Sequence, residues 1–420
     1  MPDPRPASTS RARRRWLFPL LALVPGGLGL LLCLGPDGDP RGRPSREVAL
    51  AQDGARPGEA AAPERAGKGP VAVPVPGESP EQVRRRELEL WMKRLERAEL
   101  TVARYRESTR FPPDSRPISE HPDQVYPGAF IESTRPLARL GGEPRPGSDT
   151  QLRVRQERVF LAGDESVRFS LAAQTGSGAP LPLRVTAAMA APPPDDTAPP
   201  TALGPVPVGF NDEGLDGDEV ARDGALTARF QPARQGFARY RGPVRVEVGV
   251  RVGDEEGSLF FDIFYTPNPP AVFTGSIREA LEGGSLALHV GVNVHAPGRY
   301  VVAGRVDDSE GKPFALVTFN DLLPAGPGEV RLTIFGKLVL EQRPAFPLKL
   351  RDVEAFLLLE DAHPDREMLP RLAGYVHTTR TYPPTAFSDA EWQSEERERY
   401  LAELGRDVNE ARGEVEARQP

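Results

Sequence analysis

A stretch in the middle of the chain, NDEGLDGDEVARDGALTARF at residues 211–230, concentrates acidic residues and glycines as cation-binding loops do. Calcium takes six to eight oxygen ligands at about 2.4 Å, mostly from carboxylates and carbonyls on tightly turned loops. Gly214 and Gly217 would allow such turns, although the spacing is not that of an EF-hand. Four carboxylates could supply ligands: Asp212, Glu213, Asp218 and Asp223. The stretch predicts calcium as a ligand; the alternative is a solvated run of turns in which Asp and Gly are selected for turn geometry.

A histidine-based metal site is not indicated. His289 and His295 lie on one predicted strand at even spacing, so their side chains point to the same face. Six strand residues span about 20 Å, whereas zinc–nitrogen bonds are about 2 Å long. Because one ion cannot join them, we interpret both as histidines on a solvent-facing surface. The other histidines, His121, His363 and His377, have no ligand spacing.

Local motifs of catalysis are absent from the sequence. It contains no Gly-x-Ser-x-Gly elbow, no phosphate-binding glycine loop and no zinc motif. Its single cysteine, Cys33, excludes a disulfide framework and a cysteine-based metal centre. A catalytic triad or carboxylate pair assembled from distant residues would leave no sequence signature. We therefore expect a protein with no catalytic residues and no cofactor other than calcium.

The composition indicates several domains joined by linkers. The chain has 420 residues, enough for two or three domains. Its 47 prolines and 41 glycines are unevenly distributed, which indicates linkers and many turns rather than disorder throughout. The net charge of −7 gives no reason to expect a nucleic-acid partner.

The N-terminus predicts a membrane anchor. Residues 16–35 are uncharged and apolar, and about 20 such residues cross a bilayer as a helix. Four arginines lie within residues 11–15, at the end of the basic segment 1–15, and such arginines stay on the cytoplasmic side. We therefore expect a single-pass signal-anchor in a bacterial inner membrane, with the bulk of the chain in the periplasm.

Three other N-terminal signals were weighed against the anchor. A cleaved signal peptide would need small residues soon after the apolar run, and Ala49-Leu50-Ala51 lies late for that. A lipoprotein signal would need a small residue before Cys33, where the chain has Leu32. Residues 13–17, RRRWL, faintly resemble a twin-arginine signal. The uncleaved anchor fits best.

A linker and a helix follow the anchor. Residues 36–79 contain almost no large apolar side chains, which predicts a disordered linker. Within 80–148, Ser79-Pro80-Glu81-Gln82 predicts a helix start, and a proline-rich connector follows the helix. Apolar residues recur along the helix at spacings of three and four: Leu88, Trp91, Leu95, Ala98, Val102 and Tyr105. This amphipathic seam predicts either a helix lying on the next domain or a contact with another chain, as a homodimer through helix 80–108 or with a partner protein.

Two strand-rich regions come next. From 149 to 266 short strands alternate with turn signals, most clearly where every second residue from Val244 to Val252 is valine. A stiff joint, Thr266-Pro267-Asn268-Pro269-Pro270, separates this region from a second one at 271–361. Both predict antiparallel β-sandwiches, so the fold class is mainly β. Five strands are predicted in the second region: Leu286–Val294, Tyr300–Val306, Phe314–Phe319, Val330–Phe335 and Leu348–Leu359.

The C-terminal extension, 362–420, is different in character. Ser388-Asp389-Ala390-Glu391 predicts a capping box at the start of a charged surface helix. The tail beyond Arg406 is predicted to be loose.

The acidic stretch also resembles a known family motif. Residues 212–218, then Ala221, Asp223-Gly224 and Thr227, are similar to the D-D-G-x-x-G-D-x-x-A-x-D-G-x-Y-T segment of bacterial extracytoplasmic Ig-like domains, among them the choice-of-anchor X type. Glu213 stands where the motif has Asp, and Leu226 where it has Tyr. The resemblance covers about 20 residues directly. It implies an Ig-like envelope sandwich at 149–266 without enzymatic activity.

These observations predict a membrane-anchored extracytoplasmic protein of the bacterial cell envelope. We expect a binding or scaffolding role, with an envelope protein or a cell-surface component as partner. The alternative is an extracytoplasmic hydrolase or its accessory subunit. A third possibility is a mechanical spacer.

Overall fold

The structure is a computed structural model that describes residues 77, 79–139, 142–143, 145–194, 203–360 and 362–419. The predicted anchor at 16–35 and nearly all of the predicted linker at 36–79 lie outside the described residues. Among the residues that are described, none of the helices has the length and apolar character needed to span a membrane. The chain divides into two compact units, residues 1–87 and residues 88–420.

The described residues are mainly β. Their three α-helices are α1 (Pro80–Ser108), α2 (Gly336–Gln342) and α3 (Glu395–Arg418). Their strands are β1 (Ser115–Pro117), β2 (Ile131–Pro136), β3 (Thr150–Gln156), β4 (Phe160–Ala162), β5 (Val167–Thr175), β6 (Pro180–Leu181), β7 (Leu183–Ala191), β8 (Val206–Pro207), β9 (Leu226–Phe230), β10 (Gly242–Val252), β11 (Glu255–Thr266), β12 (Ala271–Glu282), β13 (Ser285–Val294), β14 (Gly298–Asp307), β15 (Pro313–Leu323), β16 (Gly326–Ile334), β17 (Lys349–Leu358), β18 (Arg366–Met368) and β19 (Leu372–Thr378).

Two sheets form the first β module. In one sheet β2 pairs with β3 and β3 with β5, and β5 also pairs with β6 and β9. In the other the order is β4-β11-β10-β7-β8. All of these pairings are antiparallel except that of β4 with β11. The connector before residue 149 thus contributes β2 to this module.

The two sheets of the first β module share one hydrophobic core. Every second residue of β10 from Val244 to Val252 is buried, as the period-two pattern predicts. Phe169 of β5 stacks on Phe261 of β11, with ring centroids 4.4 Å apart. Because these rings come from opposite sheets, the module is sandwich-like, and each buried side chain of this size stabilises it by about 1.5–3 kcal/mol.

The second β module also has two sheets around one core. One has the order β12-β13-β16, and the other has the order β1-β15-β14-β17-β18, with β19 also paired to β17. Leu288 and Val290 of β13 lie in the same core as Val302 of β14, Val317 of β15 and Leu350 of β17. Strands from outside 271–361 therefore join this module, namely β1 from the connector and β18 and β19 from the C-terminal extension.

All five predicted strands of the second region are confirmed, within a few residues at their ends. The sequence pattern did not identify β12 or the short helix α2. β12 lacks a clear period of two, because its register shifts between Phe273 and Ile277. A bulge of this kind breaks the alternation on which strand prediction depends.

Helix α1 begins as its sequence predicts. The backbone N–H of Ser79 donates to Oε1 of Gln82 at 2.8 Å, and the backbone N–H of Gln82 donates to Oγ of Ser79 at 3.3 Å. This reciprocal pair is a capping box.

From Leu88 onward, the predicted seam of α1 packs against α3. Trp91 lies against Ala411 and Val415. The rings of Tyr105 and Tyr400 are 5.9 Å apart. Since an early residue of α1 meets a late residue of α3, the two helices run antiparallel. We call them the helix pair; they also explain why the chain beyond Arg406, predicted to be loose, is helical as far as Arg418.

The predicted capping box at Ser388 is wrong, because α3 begins later. Oγ of Ser394 caps it by accepting from the backbone N–H of Arg397. The Ser388 backbone N–H instead donates to the Gly284 carbonyl at 2.9 Å. Glu391, which a capping box would turn back to Ser388, accepts from Nη2 of Arg397 at 2.6 Å. Tertiary contacts thus override the local signal.

Candidate functional site

The acidic loop, residues 211–227, leaves the first β module and returns to it between β8 and β9. Its two ends are joined by a bridge, in which the N–H of Asn211 donates to the carbonyl of Thr227 at 2.9 Å and the reverse bond is 2.8 Å. The loop therefore starts and finishes at one point on the sheet edge, beside β9.

Inside the loop, two of the predicted ligands each accept two hydrogen bonds from the backbone. The carboxylate of Asp212 accepts from the N–H of Asp223 at 3.0 Å and of Gly224 at 3.1 Å. The carboxylate of Asp218, which is only 9% exposed, accepts from the N–H of Gly214 at 2.7 Å and of Val220 at 3.5 Å. These bonds hold the two halves of the loop in tight turns.

The other two predicted ligands are oriented differently. Asp223 accepts from the N–H of Ala225 at 2.8 Å, and the Glu213 side chain is exposed. Asp216 and Arg222 have positive φ angles of 50° and 64°, as turn positions do. Within the described parts of the chain, no three His, Cys, Asp or Glu side chains are grouped to hold a metal ion. The contacts favour the turn alternative, and calcium at the four residues stays a prediction.

A cleft of about 430 Å³ opens beside the acidic loop. We call it the polar cleft. It is lined by Gly209, Asp216, Arg229, Gln231, Arg234 and Gln235. Sequence reasoning missed all of these except Asp216, which belongs to the acidic stretch. The signal that could have found them is the polar run Gln231-Pro232-Ala233-Arg234-Gln235 directly after β9.

The side chains of the polar cleft are held in place to different degrees. Nε of Arg229 donates to Oγ of Ser166 at 3.0 Å, and Nε2 of Gln231 donates to the Asp164 carbonyl at 2.7 Å. Oε1 of Gln235 accepts from the N–H of Gln231 at 2.5 Å. The Arg234 side chain is exposed and makes no hydrogen bond or ion pair with any described residue. Among the described residues, the cleft thus presents the unpaired Arg234 guanidinium beside the held side chains of Arg229, Gln231 and Gln235.

The lining of the polar cleft combines hydrogen-bond donors and acceptors. Guanidinium and carboxamide groups donate hydrogen bonds, while the Asp216 carboxylate and the carboxamide oxygens accept them. The lining contains no serine, cysteine or histidine that could act as a nucleophile or base. Such a surface fits a polar partner with both donors and acceptors.

The two histidines considered as ligands are not brought together. Nε2 of His289 lies 2.8 Å from Oε1 of Glu282, and its Nδ1 lies 3.6 Å from Oε2 of Glu329. Nδ1 of His295 lies 3.1 Å from the Pro269 carbonyl oxygen. Each histidine has its own partners, so they do not form a site.

A buried charged cluster on the outer face of β14 and β17 was not detected in the sequence. Arg305, 1% exposed, donates from Nη2 to Oε1 of Gln124 at 2.6 Å, and Arg351 donates from Nε to Oδ2 of Asp307 at 2.6 Å. Nη2 of Arg351 also donates to the carbonyl of Val125 at 2.8 Å. These bonds fasten the connector around residue 124 to the sheet, which is a structural role.

Comparisons with known proteins show little. No family model matches the chain, and no curated protein matches it significantly. The resemblance to choice-of-anchor X domains therefore stays a prediction.

Several solved structures resemble the chain weakly. A DUF4785 family protein from Legionella pneumophila has a TM-score of 0.37 at 12% identity, over 55% of this chain and 57% of that one. The adhesin InvE from Yersinia pseudotuberculosis has a TM-score of 0.16 at 13% identity, over 52% and 56%. A DUF3823 family protein from Bacteroides ovatus has 0.18 at 12%, over 48% and 91%. This chain thus spans little more than half of the first two proteins, and similarity at this level carries no argument about function.

Proposed function

We propose that the protein is a non-enzymatic binding or scaffolding protein of the bacterial cell envelope. In this proposal residues 16–35 anchor it in the inner membrane by a single pass, and residues 36–79 form a linker. The two β modules, both Ig-like, lie on the periplasmic side. The partner is an envelope protein or a component of the cell surface.

The polar cleft is the observation that carries the proposal. Binding sites on β-sandwiches are often built from loops at the ends of strands, because a rigid sheet positions them. Here β9 and the acidic loop position the cleft, and Asp212 and Asp218 hold the loop in place. The exposed Arg234 gives the cleft a cation that a carboxylate or another acceptor on a partner can pair with.

The alternative function is that of an extracytoplasmic hydrolase or its accessory subunit. A hydrolase would need a nucleophile or a pair of acid and base groups converging on a cleft. The lining of the polar cleft offers hydrogen-bonding groups and one carboxylate, which suits the accessory role better than the catalytic one.

The proposal is tested by crosslinking the full-length protein in cells and identifying what is captured by mass spectrometry. Arg234→Glu reverses the free charge of the cleft. Arg239→Glu is a matched control, since Arg239 is exposed on the same segment and does not line the cleft. We expect the wild type and Arg239→Glu to capture one envelope component, and Arg234→Glu to lose most of it. Capture of nothing, of the protein itself alone, or equally by both variants would contradict the proposal.

A further inference from the structure

A second, smaller cavity of about 180 Å³ lies at the opposite seam of the first β module. There the chain leaves β2 and crosses from one sheet to the other. Leu137 is buried in the core, and the carbonyl of Ala138 accepts from the N–H of Ser258 on β11 at 2.9 Å. The cavity lies at this crossing, so both sheets contribute to its walls.

Arg135 directs a charge toward this cavity from the inner side of the sheet. It pairs in register with Leu152 of β3, which is 2% exposed and belongs to the core. Because paired residues of antiparallel strands point to the same face, the Arg135 side chain also lies on the inner face. An arginine on this face is unusual, since the inner positions of a sandwich are normally apolar.

The Arg135 guanidinium has no hydrogen-bond or ion-pair partner among the described residues, and its Nε is fully buried. Burial lowers the pKa of Arg135, and no carboxylate opposes that change. By contrast Arg245, on the outer face of β10, is held by both oxygens of Asp262 at 2.8 Å. Arg135 as a whole is half-buried. A cation partly removed from water without a counter-charge destabilises a fold unless a ligand compensates it.

The remaining walls indicate the chemistry of that ligand. Leu152 and Leu259 are apolar, and Arg139 adds a second guanidinium at the exposed end. A guanidinium matches a carboxylate with two parallel hydrogen bonds. The cavity is smaller than sites for drug-sized molecules, which occupy about 300–1,000 Å³.

We propose that this cavity binds a carboxylate, either of a small organic acid or of a larger envelope component. Arg135 is the counter-charge of the carboxylate, and Leu152 and Leu259 surround the short apolar part of the ligand. The site is separate from the polar cleft, and a free acid as its ligand does not depend on the function proposed for that cleft; an envelope component as the source rests on the proposed envelope location.

Thermal unfolding with butyrate as the probe tests this site, with sodium chloride at matched ionic strength and neutral butyramide as references. We expect butyrate to raise Tm by about 2–4 °C at roughly tenfold its Kd, and butyramide to have no effect. Arg135→Met should lose the butyrate effect while unfolding at the same or a higher Tm without ligand, because the unpaired charge is gone. Arg153→Met is the matched control, since Arg153 is exposed on the neighbouring strand β3.

Each outcome of these measurements supports or overturns the proposed carboxylate site. Loss of the shift in Arg135→Met but not in Arg153→Met supports the site. No butyrate effect in the wild type, or an equal effect in Arg135→Met, overturns it. An equal Arg135-dependent effect of inorganic sulfate would overturn the assignment to an organic carboxylate. To distinguish a free acid from an acidic group on a larger molecule, we would measure whether purified envelope glycan competes with butyrate for the wild-type protein. Competition supports the acidic group on the larger molecule. Intact butyrate binding without competition supports the free acid.

Discussion

Aspartates in the acidic loop act as acceptors for the backbone of their own loop. Asp212 and Asp218 each take two N–H groups, so their oxygens are already engaged where a calcium ion would need them. A carboxylate can bind both an N–H and a cation, so calcium stays a prediction that experiment can test. The polar cleft depends on this loop, because Asp216 lines it.

Asp218→Ala should destabilise the first β module by about 1–2 kcal/mol, because two backbone N–H groups lose their acceptor. Chemical denaturation in EDTA and in millimolar calcium measures this. We expect the same loss in both conditions. Glu213→Gln is the control, since the exposed Glu213 side chain accepts no hydrogen bond from the part of the chain that the structure describes, and it should leave stability unchanged. A calcium-dependent gain in the wild type that Asp218→Ala abolishes would instead establish the calcium site.

Tyr300 should make the second β module sensitive to alkaline pH. Its single hydroxyl proton is donated to the carbonyl of Ala296 at 2.6 Å, and the carbonyl oxygen of Pro270 lies 3.0 Å from the same hydroxyl oxygen. Burial raises the pKa of Tyr300 to about 12. A pKa raised above the unfolded value of about 10 gives stability that is complete below pH 10 and lost as pH rises through 12. Tyr300→Phe should cost about 1–2 kcal/mol at neutral pH and remove this loss. Tyr126→Phe, at an exposed tyrosine, should change neither quantity in denaturation measured across pH.

The acidic loop could be found from sequence because its residues are contiguous and their types are unusual. The polar cleft, and the smaller cavity lined by Arg135, could not be found from the sequence. Arg135 and Leu259 are more than a hundred positions apart, and only the crossing at Ala138 brings their strands together. The alternation of residues along β2 would also place Arg135 among ordinary polar strand residues, since the local sequence does not show which face of β2 is buried.

At the level of secondary-structure elements, the helix pair shows that the apolar seam of α1 contacts α3. The sequence offered a neighbouring domain or a second copy, and from Leu88 onward the seam packs against α3. Arg412 of α3 also pairs with Glu99 of α1 at 2.8 Å. A homodimer through helix 80–108, which stays a prediction, would have to use another face of α1 or displace α3.

Trp91→Ala should loosen α3 without unfolding the β modules. Trp91 is 6% exposed, whereas its neighbour Met92 is 52% exposed and serves as the control in Met92→Ala. We expect hydrogen exchange across Glu395–Arg418 to accelerate at least tenfold in Trp91→Ala, because removing a buried indole costs more than the about 1.4 kcal/mol that corresponds to tenfold. Equal protection in the two variants would show that the pair does not depend on this contact.

Strand prediction succeeded where one face is buried along a whole strand, as in β10. It failed where tertiary contacts decide the structure. β1 has three residues and lies in a proline-rich connector, from which it pairs with β15. α3 starts at Glu395, after its N-cap Ser394, while the backbone of Ser388 is bound to Gly284. Neither feature is encoded within a short window of sequence.

At the scale of the whole molecule, ion pairs join the two β modules. Glu157 of the first module accepts from Arg371 of the second at 3.3 Å, and Arg158 and Arg168 also contact it. The Arg371 backbone N–H donates to Glu165 at 3.2 Å. These contacts tie residues of both modules together.

Acid should weaken this junction. Burial raises the pKa of Glu157, but its hydrogen bond with Arg158 and the charges of Arg158, Arg168 and Arg371 outweigh burial and lower it. A lowered glutamate pKa gives stability that is present above the ordinary value of about 4.3 and lost as pH falls through the lowered one. Glu157→Gln should therefore reduce Tm at pH 7, and the difference should vanish in strong acid. Glu132→Gln, at an exposed pair with Arg155 within the first module, is the control; an equal effect of the two variants would argue against a special role for the junction.

The most direct test of binding through the polar cleft is photo-crosslinking in living cells, with a photo-reactive residue placed at Gln235 of the full-length protein. Gln235 lines the polar cleft, whereas the exposed Glu247 on the outer face of β10 serves as the reference position. If the polar cleft binds the partner, we expect a single light-dependent adduct with one envelope component from position 235, and none from position 247. No adduct from position 235, or the same adduct from both positions, would contradict the claim that this protein binds its partner through the cleft.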